Sequence, residues 1–220
     1  MPLYNSEPII LSEINSLNPD EYEKKYVHDT YNTIASQFSN SRYKPWDKVK
    51  SFLEKLSCDS VMVDVGCGNG KNLGISSGKS IGCDICPNLL EIAKNKGFDV
   101  ILADTLNLPF EDNFADAVIS IAVIHHLSTK ERRLNAIKEL IRICKPNGKI
   151  LIYVWANNDK KNGDSFIKWG DNKGSNNNFT RYYHLFDENE LDNLCLEAGN
   201  CKIENSYFDK ENWAIILSKI

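Results

Sequence analysis

Apolar positions along the chain follow two periods that alternate from residue 61 onward. Short runs of β-branched residues, such as Val61, Val63 and Val65, are typical of buried strands. Apolar residues three positions apart, such as Leu134 and Ile137, are typical of helices packed on a core. Strands are predicted at 61–65, 80–83, 99–103, 116–122, 149–155, 202–208 and 213–218, and helices at 87–96 and 129–144. This alternation predicts an α/β fold with a mostly parallel seven-stranded sheet, helices on both faces and an antiparallel C-terminal hairpin.

The flanking segments follow different patterns. Residues 1–19 contain three prolines and are predicted to form an irregular N-terminal arm before a single domain at 20–220. Further helices are predicted at 20–38, 46–56 and 187–198, the first of them capped by Asn18 and Pro19. Residues 157–178 are rich in asparagine and poor in apolar residues, which predicts a mobile loop.

A glycine-rich turn follows the strand at 61–65. Gly66, Gly68 and Gly70 stand at spacing two, so backbone N–H groups can approach a ligand and lead into a following helix. Asp64 precedes the glycines, and Asp84 follows the strand at 80–83, where a carboxylate can accept both ribose hydroxyls of a nucleoside. The spacing differs from that of dinucleotide sites and is similar to the S-adenosylmethionine site of class I methyltransferases. A plain strand–turn–helix corner that binds nothing is the alternative.

Composition narrows the classes of function. Of the 220 residues, 42% are hydrophobic and 25% are charged, which supports one folded domain with a core. The net charge of −4 gives no overall basic character, so contact with nucleic acid has to use a local patch or a partner. The seven cysteines do not resemble a secreted disulfide framework. We see no leader pattern and no apolar run of the roughly 18 residues that a membrane helix needs, so the cytosol or the nucleus is the expected location.

Polar residues after the later strands add candidates for the site. Asp104 follows the strand at 99–103 and can accept the amino group of adenine, or it caps a turn. His125 and His126 follow the strand at 116–122, at the edge where open α/β sheets bind ligands. A buried structural histidine is the alternative at this position.

Three other groups of residues carry weaker signals. Cys83 and Cys86 form a Cys-x-x-Cys pair around Asp84, which we interpret as structural and not as a redox or metal site. Seven cations between Lys130 and Lys149 form either a solvated helix face or a patch for a phosphate backbone. Arg42 with Trp46, and Arg181 with the aromatic residues after it, can bind anions and stack on bases, or they pack as ordinary side chains.

Several motifs together resemble the eukaryotic wobble-uridine tRNA methyltransferases, whose module also occurs fused to an AlkB-type dioxygenase homologue. The resemblance covers nearly the whole chain and departs after Trp155, where this chain is shortened and asparagine-rich. The motifs are Tyr31 to Trp46, Asp64-Val-Gly-Cys-Gly-Asn-Gly-Lys71, Ile81-Gly-Cys-Asp84, Ile119-Ser-Ile-Ala-Val-Ile-His-His126, Ile152-Tyr-Val-Trp155 and Arg181-Tyr-Tyr-His-Leu185.

The resemblance implies a Rossmann-like class I methyltransferase that uses S-adenosylmethionine to form the methyl ester of 5-carboxymethyluridine in the tRNA anticodon loop. It implies cofactor contacts from Asp64, Gly66, Gly68, Asp84, Asp104 and Ala122. It implies orienting hydrogen bonds from Arg42, His126 and Arg181, and substrate contacts from His125, Trp155, Tyr182 and His184. No metal ligand is expected, and no general base is required, because the acceptor carboxylate is already ionised at neutral pH.

The family works with a small zinc-binding activator protein. In the family's strand order the strand at 98–103 is an edge, and here it is apolar and has no lysine or proline to protect it. We therefore expect the activator to add a strand at 98–103. Two other functions stay open, namely a methyltransferase for a small molecule and a non-catalytic module that binds the cofactor.

Overall fold

The computed structural model describes residues 6–7, 17–42, 44–158, 163–169 and 179–220. Its strands are β1 (Ser6–Glu7), β2 (Val61–Val65), β3 (Lys79–Asp84), β4 (Asp99–Leu102), β5 (Ala115–Ile121), β6 (Cys144–Trp155), β7 (Asp164–Trp169), β8 (Phe179–His184), β9 (Cys201–Asp209) and β10 (Asn212–Lys219). Its α-helices are α1 (Pro19–Glu23), α2 (Asp29–Ser41), α3 (Asp47–Leu53), α4 (Pro87–Asn95), α5 (Lys130–Ile143) and α6 (Glu190–Ala198). None of these helices is long and apolar enough to cross a membrane.

The main sheet has the strand order β4-β3-β2-β5-β6-β10-β9. The first five strands pair in parallel, and β10 runs antiparallel to both β6 and β9. The predicted mostly parallel sheet and its C-terminal hairpin are therefore confirmed. The order reverses between β2 and β5, and ligands bind at such a reversal, beyond the carboxyl ends of the strands.

Helices cover both faces of this sheet, as predicted. Adjacent side chains of a strand point to opposite faces, so Met62 and Val63 enter different apolar layers. Met62 packs in the same layer as Leu53 of α3, and Val63 packs in the same layer as Ile137 of α5. All four side chains are fully buried.

A second, three-stranded sheet has the order β1-β7-β8 with antiparallel pairing. The prediction of a mobile loop over 157–178 is wrong for 164–169, which form β7. The apolar residues of that strand stand in an asparagine-rich segment, which hides their alternation. The predicted irregular arm includes β1, which pairs with β7. Residues 1–5, 8–16, 159–162 and 170–178 lie outside the described residues.

The glycine-rich turn does not lead into a helix as expected. Residues 68–74 form successive turns instead. Gly70 and Gly74 have φ of 76° and 72°, in the left-handed region, which interrupts any regular right-handed helix.

The helix predicted at 20–38 is present but contains a π-helical turn at Lys24–His28, between α1 and α2. The Asp29 N–H donates to the carbonyl of Lys24, five residues back. Such single turns inside α-helices occur frequently at functional sites. Here the turn lies just before Tyr31, which contacts β8 of the second sheet and the 3-10 helix Ile124–His126, called the histidine segment below.

Glu23, at the end of α1, ties this helix to the residues after the two histidines. Its carboxylate is buried and accepts hydrogen bonds from the N–H and hydroxyl of Ser128, at 2.6 and 2.7 Å. It also accepts two hydrogen bonds from the guanidinium of Arg132, at 2.9 and 2.8 Å. Glu23 therefore joins α1 to Ser128 by hydrogen bonds and to α5 by an ion pair with Arg132.

Replacing Glu23 with alanine should lower the free energy of unfolding by about 3 kcal/mol, because Arg132 and the Ser128 N–H lose a buried acceptor. Urea unfolding followed by circular dichroism measures the change. Glu54→Ala removes an exposed carboxylate paired with Lys50 and should cost less than about 0.5 kcal/mol. Equal losses in the two variants would contradict the role given to Glu23.

Candidate active site

A cavity of about 820 Å³ lies beyond the carboxyl ends of the central parallel strands. Ten of the residues predicted for the site line it, namely Arg42, Gly66, Gly68, Asp84, Asp104, Ala122, His125, His126, Trp155 and Arg181. Asp64, Tyr182 and His184 do not line it. The strand order places the acids that follow β3 and β4 on one side of β2, and the histidines that follow β5 on the other.

The glycine loop and Asp84 form one wall of the cavity. The two carboxylate oxygens of Asp84 accept the N–H groups of Gly68 and Cys86, each at 2.8 Å. Burial raises the pKa of Asp84, and these N–H donors oppose that shift. At Gly66, with φ of 78°, a Cβ atom would lie 2.2 Å from a methyl group of Val123, so a side chain cannot be accommodated. At Gly68, with φ of 54°, a Cβ would make ordinary van der Waals contacts with Leu89 and Phe38, at 3.9 and 4.0 Å, so the positive φ is what favours glycine there.

Asp64 lies behind this wall, which corrects its predicted contact with the cofactor. It is fully buried, and its Oδ2 accepts a hydrogen bond from Asn72 Nδ2 at 3.3 Å. Burial raises its pKa to about 7, opposed by Asn72 and by the charge of Lys71. The glycine loop folds back over the end of β2. The carboxylate of Asp64 therefore packs under the loop, where it bonds to Asn72, and does not face the cavity.

Asp104 and Ala122 complete the side of the cavity that suits a nucleoside. Asp104 Oδ1 accepts the Leu106 N–H at 2.9 Å, and one lone pair of the same carboxylate is enough to accept an adenine amino group. Thr105 lines the cavity, and its hydroxyl oxygen is buried with no hydrogen-bond partner among the described residues. Ala122 has φ of 64°, a strained value for a non-glycine residue, and it turns the chain from β5 toward the histidines.

The two histidines are held as opposite neutral tautomers. His126 Nδ1 lies 2.8 Å from the carbonyl oxygen of Tyr182, which can only accept, so Nδ1 carries the hydrogen. His126 Nε2 therefore accepts the hydroxyl hydrogen of Tyr31 at 3.0 Å. His125 Nδ1 accepts the Trp155 N–H at 3.1 Å, so its hydrogen is on Nε2. Burial lowers the pKa of His126 to about 3 and that of His125 well below its usual value.

The hydroxyl oxygen of Tyr31 joins three side chains. It lies 3.0 Å from His126 Nε2, 3.1 Å from the hydroxyl of Tyr183 and 3.0 Å from Arg181 Nη1. Because its hydrogen goes to His126, it accepts from both Tyr183 and Arg181. The guanidinium of Arg181 also lies over the ring of Trp169, 4.9 Å from its centroid. Helix α2, β8 and the histidine segment thus meet at one oxygen atom.

Tyr182 and His184 point away from the cavity, which contradicts their predicted contact with substrate. The hydroxyl of Tyr182 donates to Asp164 at 2.6 Å. His184 Nδ1 lies 2.8 Å from the same carboxylate, and its Nε2 lies 2.6 Å from Glu190. Alternation along β8 puts these two residues on the face opposite to Arg181 and Tyr183.

Tyr183 is the tyrosine of β8 that lines the cavity, in place of the predicted Tyr182. Its ring stacks on that of Trp155, with centroids 4.4 Å apart and an interplanar angle of 19°. Arg42, at the end of α2, is exposed, and its guanidinium lies 5.9 Å from the ring centroids of Phe38 and Trp169. The side of the cavity near the histidines is therefore aromatic and cationic.

The run of cations from 130 to 149 is not an open basic patch. Five of the seven cations pair with acids, namely Lys130 with Glu197, Arg132 with Glu23, Arg142 with Glu139, Lys145 with Asp116 and Lys149 with Glu204. Arg133 is buried and donates to the carbonyl of Leu127 at 2.9 Å. These contacts favour the structural interpretation of the run over a phosphate-binding one.

Cys83 and Cys86 are both buried with reduced thiols. Burial raises the pKa of Cys83 to about 12 and that of Cys86 to about 11. A thiol with so high a pKa stays protonated and is a poor nucleophile at neutral pH, which agrees with a structural role.

The chain is similar in sequence to a methyltransferase domain and to known tRNA methyltransferases. Residues 63–152 match the model of a methyltransferase domain. The chain is 38% identical over 226 residues to the tRNA (carboxymethyluridine(34)-5-O)-methyltransferase of Schizosaccharomyces pombe, covering 90% of this chain and 98% of that protein. It is 34% identical over 268 residues to the enzyme of that name from Xenopus tropicalis, covering 94% of this chain but only 43% of the relative.

Among solved structures, the fold is similar to that in a complex between the Haloferax volcanii Trm112 methyltransferase activator and a methyltransferase. The TM-score is 0.65 at 13% identity, covering 88% of this chain and 98% of the other. At this identity the likeness shows the fold alone, and it confirms the predicted methyltransferase architecture. The level and extent of identity to the S. pombe protein confirm the resemblance seen in the motifs, and the chain belongs to the tRNA (carboxymethyluridine(34)-5-O)-methyltransferase family.

Proposed function

We propose that this chain methylates the carboxylate of 5-carboxymethyluridine at the wobble position of a tRNA anticodon, with S-adenosylmethionine as methyl donor. The observation that carries the proposal is the match to the S. pombe enzyme over 98% of that protein's length. The cavity supports it, because Asp84 and Asp104 line the part that suits a nucleoside, and neutral imidazoles and Arg181 line the part near β5 and β8.

The donor, S-adenosylmethionine, supplies a methyl group from a sulfonium sulfur. The side of the cavity near β3 and β4 suits the nucleoside part of this donor. Both Asp84 oxygens accept one backbone N–H each and keep further lone pairs for ribose hydroxyls. Asp104 lines the same side, and its carboxylate can accept a hydrogen bond from a base. Gly68 lines the cavity without a side chain, which lets the main chain approach a ligand closely.

The side near β5 and β8 suits an acceptor that is already charged. A carboxylate is ionised at neutral pH, so the residues around it only have to orient it. His125 Nε2–H lines the cavity and has no hydrogen-bond partner among the described residues, so it can donate to a carboxylate oxygen. A neutral imidazole suits this role, because a full positive charge would hold the oxygen more tightly and reduce its nucleophilicity.

His126 takes a different role from the predicted one. Both of its ring nitrogens are already bonded, to Tyr31 and to the Tyr182 carbonyl. It therefore positions Tyr31 and, through that hydroxyl, Arg181. In this proposal His125 and Arg181 orient the acceptor, and the Trp155–Tyr183 stack offers aromatic surface for a base.

The direct test is nucleoside analysis of tRNA that carries 5-carboxymethyluridine, after incubation with the protein, S-adenosylmethionine and a zinc-binding activator. We expect the methyl ester to appear. Absence of the ester, despite calorimetric binding of S-adenosylhomocysteine, would favour a non-catalytic module. Transfer to a small molecule without retention of tRNA in a gel shift would favour the small-molecule alternative.

Variants of His125 test its assigned role. His125→Asn keeps an acceptor near Nδ1 and removes the Nε2 donor, whereas His125→Gln returns an N–H near Nε2. Loss of one hydrogen bond to a charged group should lower the single-turnover rate about 10- to 100-fold in the asparagine variant, and less in the glutamine variant. Binding of S-adenosylhomocysteine should stay near that of the unmodified protein. Equal rates in both variants, or loss of ligand binding, would overturn the assignment.

The predicted activator has a candidate docking edge. β4 is the edge strand of the main sheet, and the side chains of Ile101 and Leu102 are 38% and 62% exposed. An apolar strand edge offers unpaired backbone groups to a partner strand. In the Haloferax complex the related fold is bound to a methyltransferase activator, and we extend that association to this chain as part of the proposal.

Leu102→Lys should abolish co-purification with the activator, because a charge at the edge disfavours strand addition. Phe208→Lys is the matched control, since Phe208 is 47% exposed on β9 at the opposite edge. We expect the control to keep its partner, and the protein expressed alone to be poorly soluble. Normal co-purification of Leu102→Lys would rule out docking at β4.

A further inference from the structure

His184, which the proposed reaction does not use, lies between two carboxylates from different parts of the fold. Its Nδ1 lies 2.8 Å from Asp164 Oδ1 on β7, and its Nε2 lies 2.6 Å from Glu190 Oε1 at the start of α6. The side chain is only 13% exposed, so water offers little alternative to these contacts. Because α6 packs on the core of the main sheet, the imidazole joins the second sheet to the main one.

The two contacts fix the charge of the imidazole. An ionised carboxylate can only accept, so each ring nitrogen of His184 has to carry a hydrogen, and such a ring is an imidazolium. Other donors show that both carboxylates act as acceptors. Asp164 Oδ1 also accepts the Tyr182 hydroxyl at 2.6 Å, and Glu190 Oε2 accepts the Asp187 N–H at 3.0 Å. His184 is therefore the opposite of the two neutral histidines in the cavity wall.

The charges around this ring balance only when it is protonated. The titratable and charged side chains that the structure describes around it are Asp164 on β7, Tyr182 on β8, Glu190 on α6, Arg133 on α5 and His125 in the histidine segment. Two carboxylates face one guanidinium, so the imidazolium supplies the second positive charge. Burial would lower the pKa of His184, but its hydrogen bonds to the two carboxylates raise the pKa above the usual 6.5.

The strand that carries His184 also forms the acceptor side of the cavity. Arg181 and Tyr183 line the cavity from the other face of β8, and the Tyr182 carbonyl accepts the Nδ1–H of His126. We propose that His184 is a positioning residue whose positive charge at neutral pH joins β8 to β7 and α6 and so holds Arg181 and Tyr183 in place. Loss of its proton would leave a ring lone pair facing a carboxylate and weaken this connection. The consequence for methyl transfer rests on the proposed function.

Nuclear magnetic resonance of the unmodified protein, with isotope-labelled histidine, measures the charge directly. The chain has four histidines, and burial lowers the pKa of His28, His125 and His126. The ring signal of His184 should therefore be the one that titrates above pH 6.5, and His184→Gln should remove it. If no ring signal of the unmodified protein titrates above pH 6.5, the proposal is overturned, whether or not the variant folds.

A pH profile of single-turnover methyl transfer tests the positioning role. In the unmodified protein the rate should fall about tenfold as the pH rises through the measured pKa of His184. Glu190→Gln should remove most of this fall, because a glutamine amide can donate to the lone pair of a neutral ring. Glu188→Gln removes an exposed carboxylate from the segment before α6 and should keep the fall. Equal profiles in these two variants would overturn the positioning role.

Urea unfolding gives a readout that does not depend on activity. A histidine whose pKa is raised by folding stabilises the fold below its usual pKa, and this contribution is lost as the pH rises. The urea midpoint should therefore fall more steeply above pH 6.5 in the unmodified protein than in Glu190→Gln. Parallel curves would count against the charged connection. If the unmodified protein methylates no tRNA, the proposed function fails and the positioning role with it, whereas the charge of His184 is still decided by resonance and urea.

Discussion

The arrangement of the site depends on the hydroxyl oxygen of Tyr31. One atom donates to His126 and accepts from Tyr183 and Arg181, so it joins helix α2, strand β8 and the histidine segment. The direction of each bond follows from a single fact, that the Tyr182 carbonyl can only accept and so fixes the His126 tautomer. Removing this hydroxyl would leave a buried acceptor and a buried guanidinium without their shared partner, which is a costly state inside a protein.

The polar groups of the cavity differ along the sheet. Asp84 at the end of β3 and Asp104 after β4 lie on one side of β2, and the two histidines and Arg181 of β8 lie toward β5. The neutral histidines lie at the ends of β5, between hydrogen-bonding groups that keep them uncharged. This division lets one cavity bind two ligands that react with each other, because each ligand meets the polarity that suits it. An overall charge of −4 hides this division.

Local signals account for the parts of the fold that could be predicted. Runs of β-branched residues predict strands and glycines predict turns. The positions of the central strands, the glycine loop and Asp84 therefore followed from the sequence. The errors concern residues whose role depends on distant packing. The run of aromatic residues at 179–184 does not by itself predict a strand, so alternation could not show that Tyr183, and not Tyr182, shares a face with Arg181. Tyr31 and His126 are 95 residues apart, and no local pattern pairs them. Asp64 was misplaced because the turns after it cover it, where a helix was expected.

The π-helical turn at Lys24–His28 has a consequence for comparing this chain with other proteins. A turn closed by a bond to the fifth residue back contains one residue more than an ordinary α-helical turn. Each residue advances an α-helix by about 100°, so the extra residue rotates everything after it by that amount relative to a regular helix. If α1 is superimposed on an uninterrupted helix of another protein, the residue numbers of the two helices will therefore differ by one position at Tyr31. Equivalent side chains must be matched separately before and after the turn.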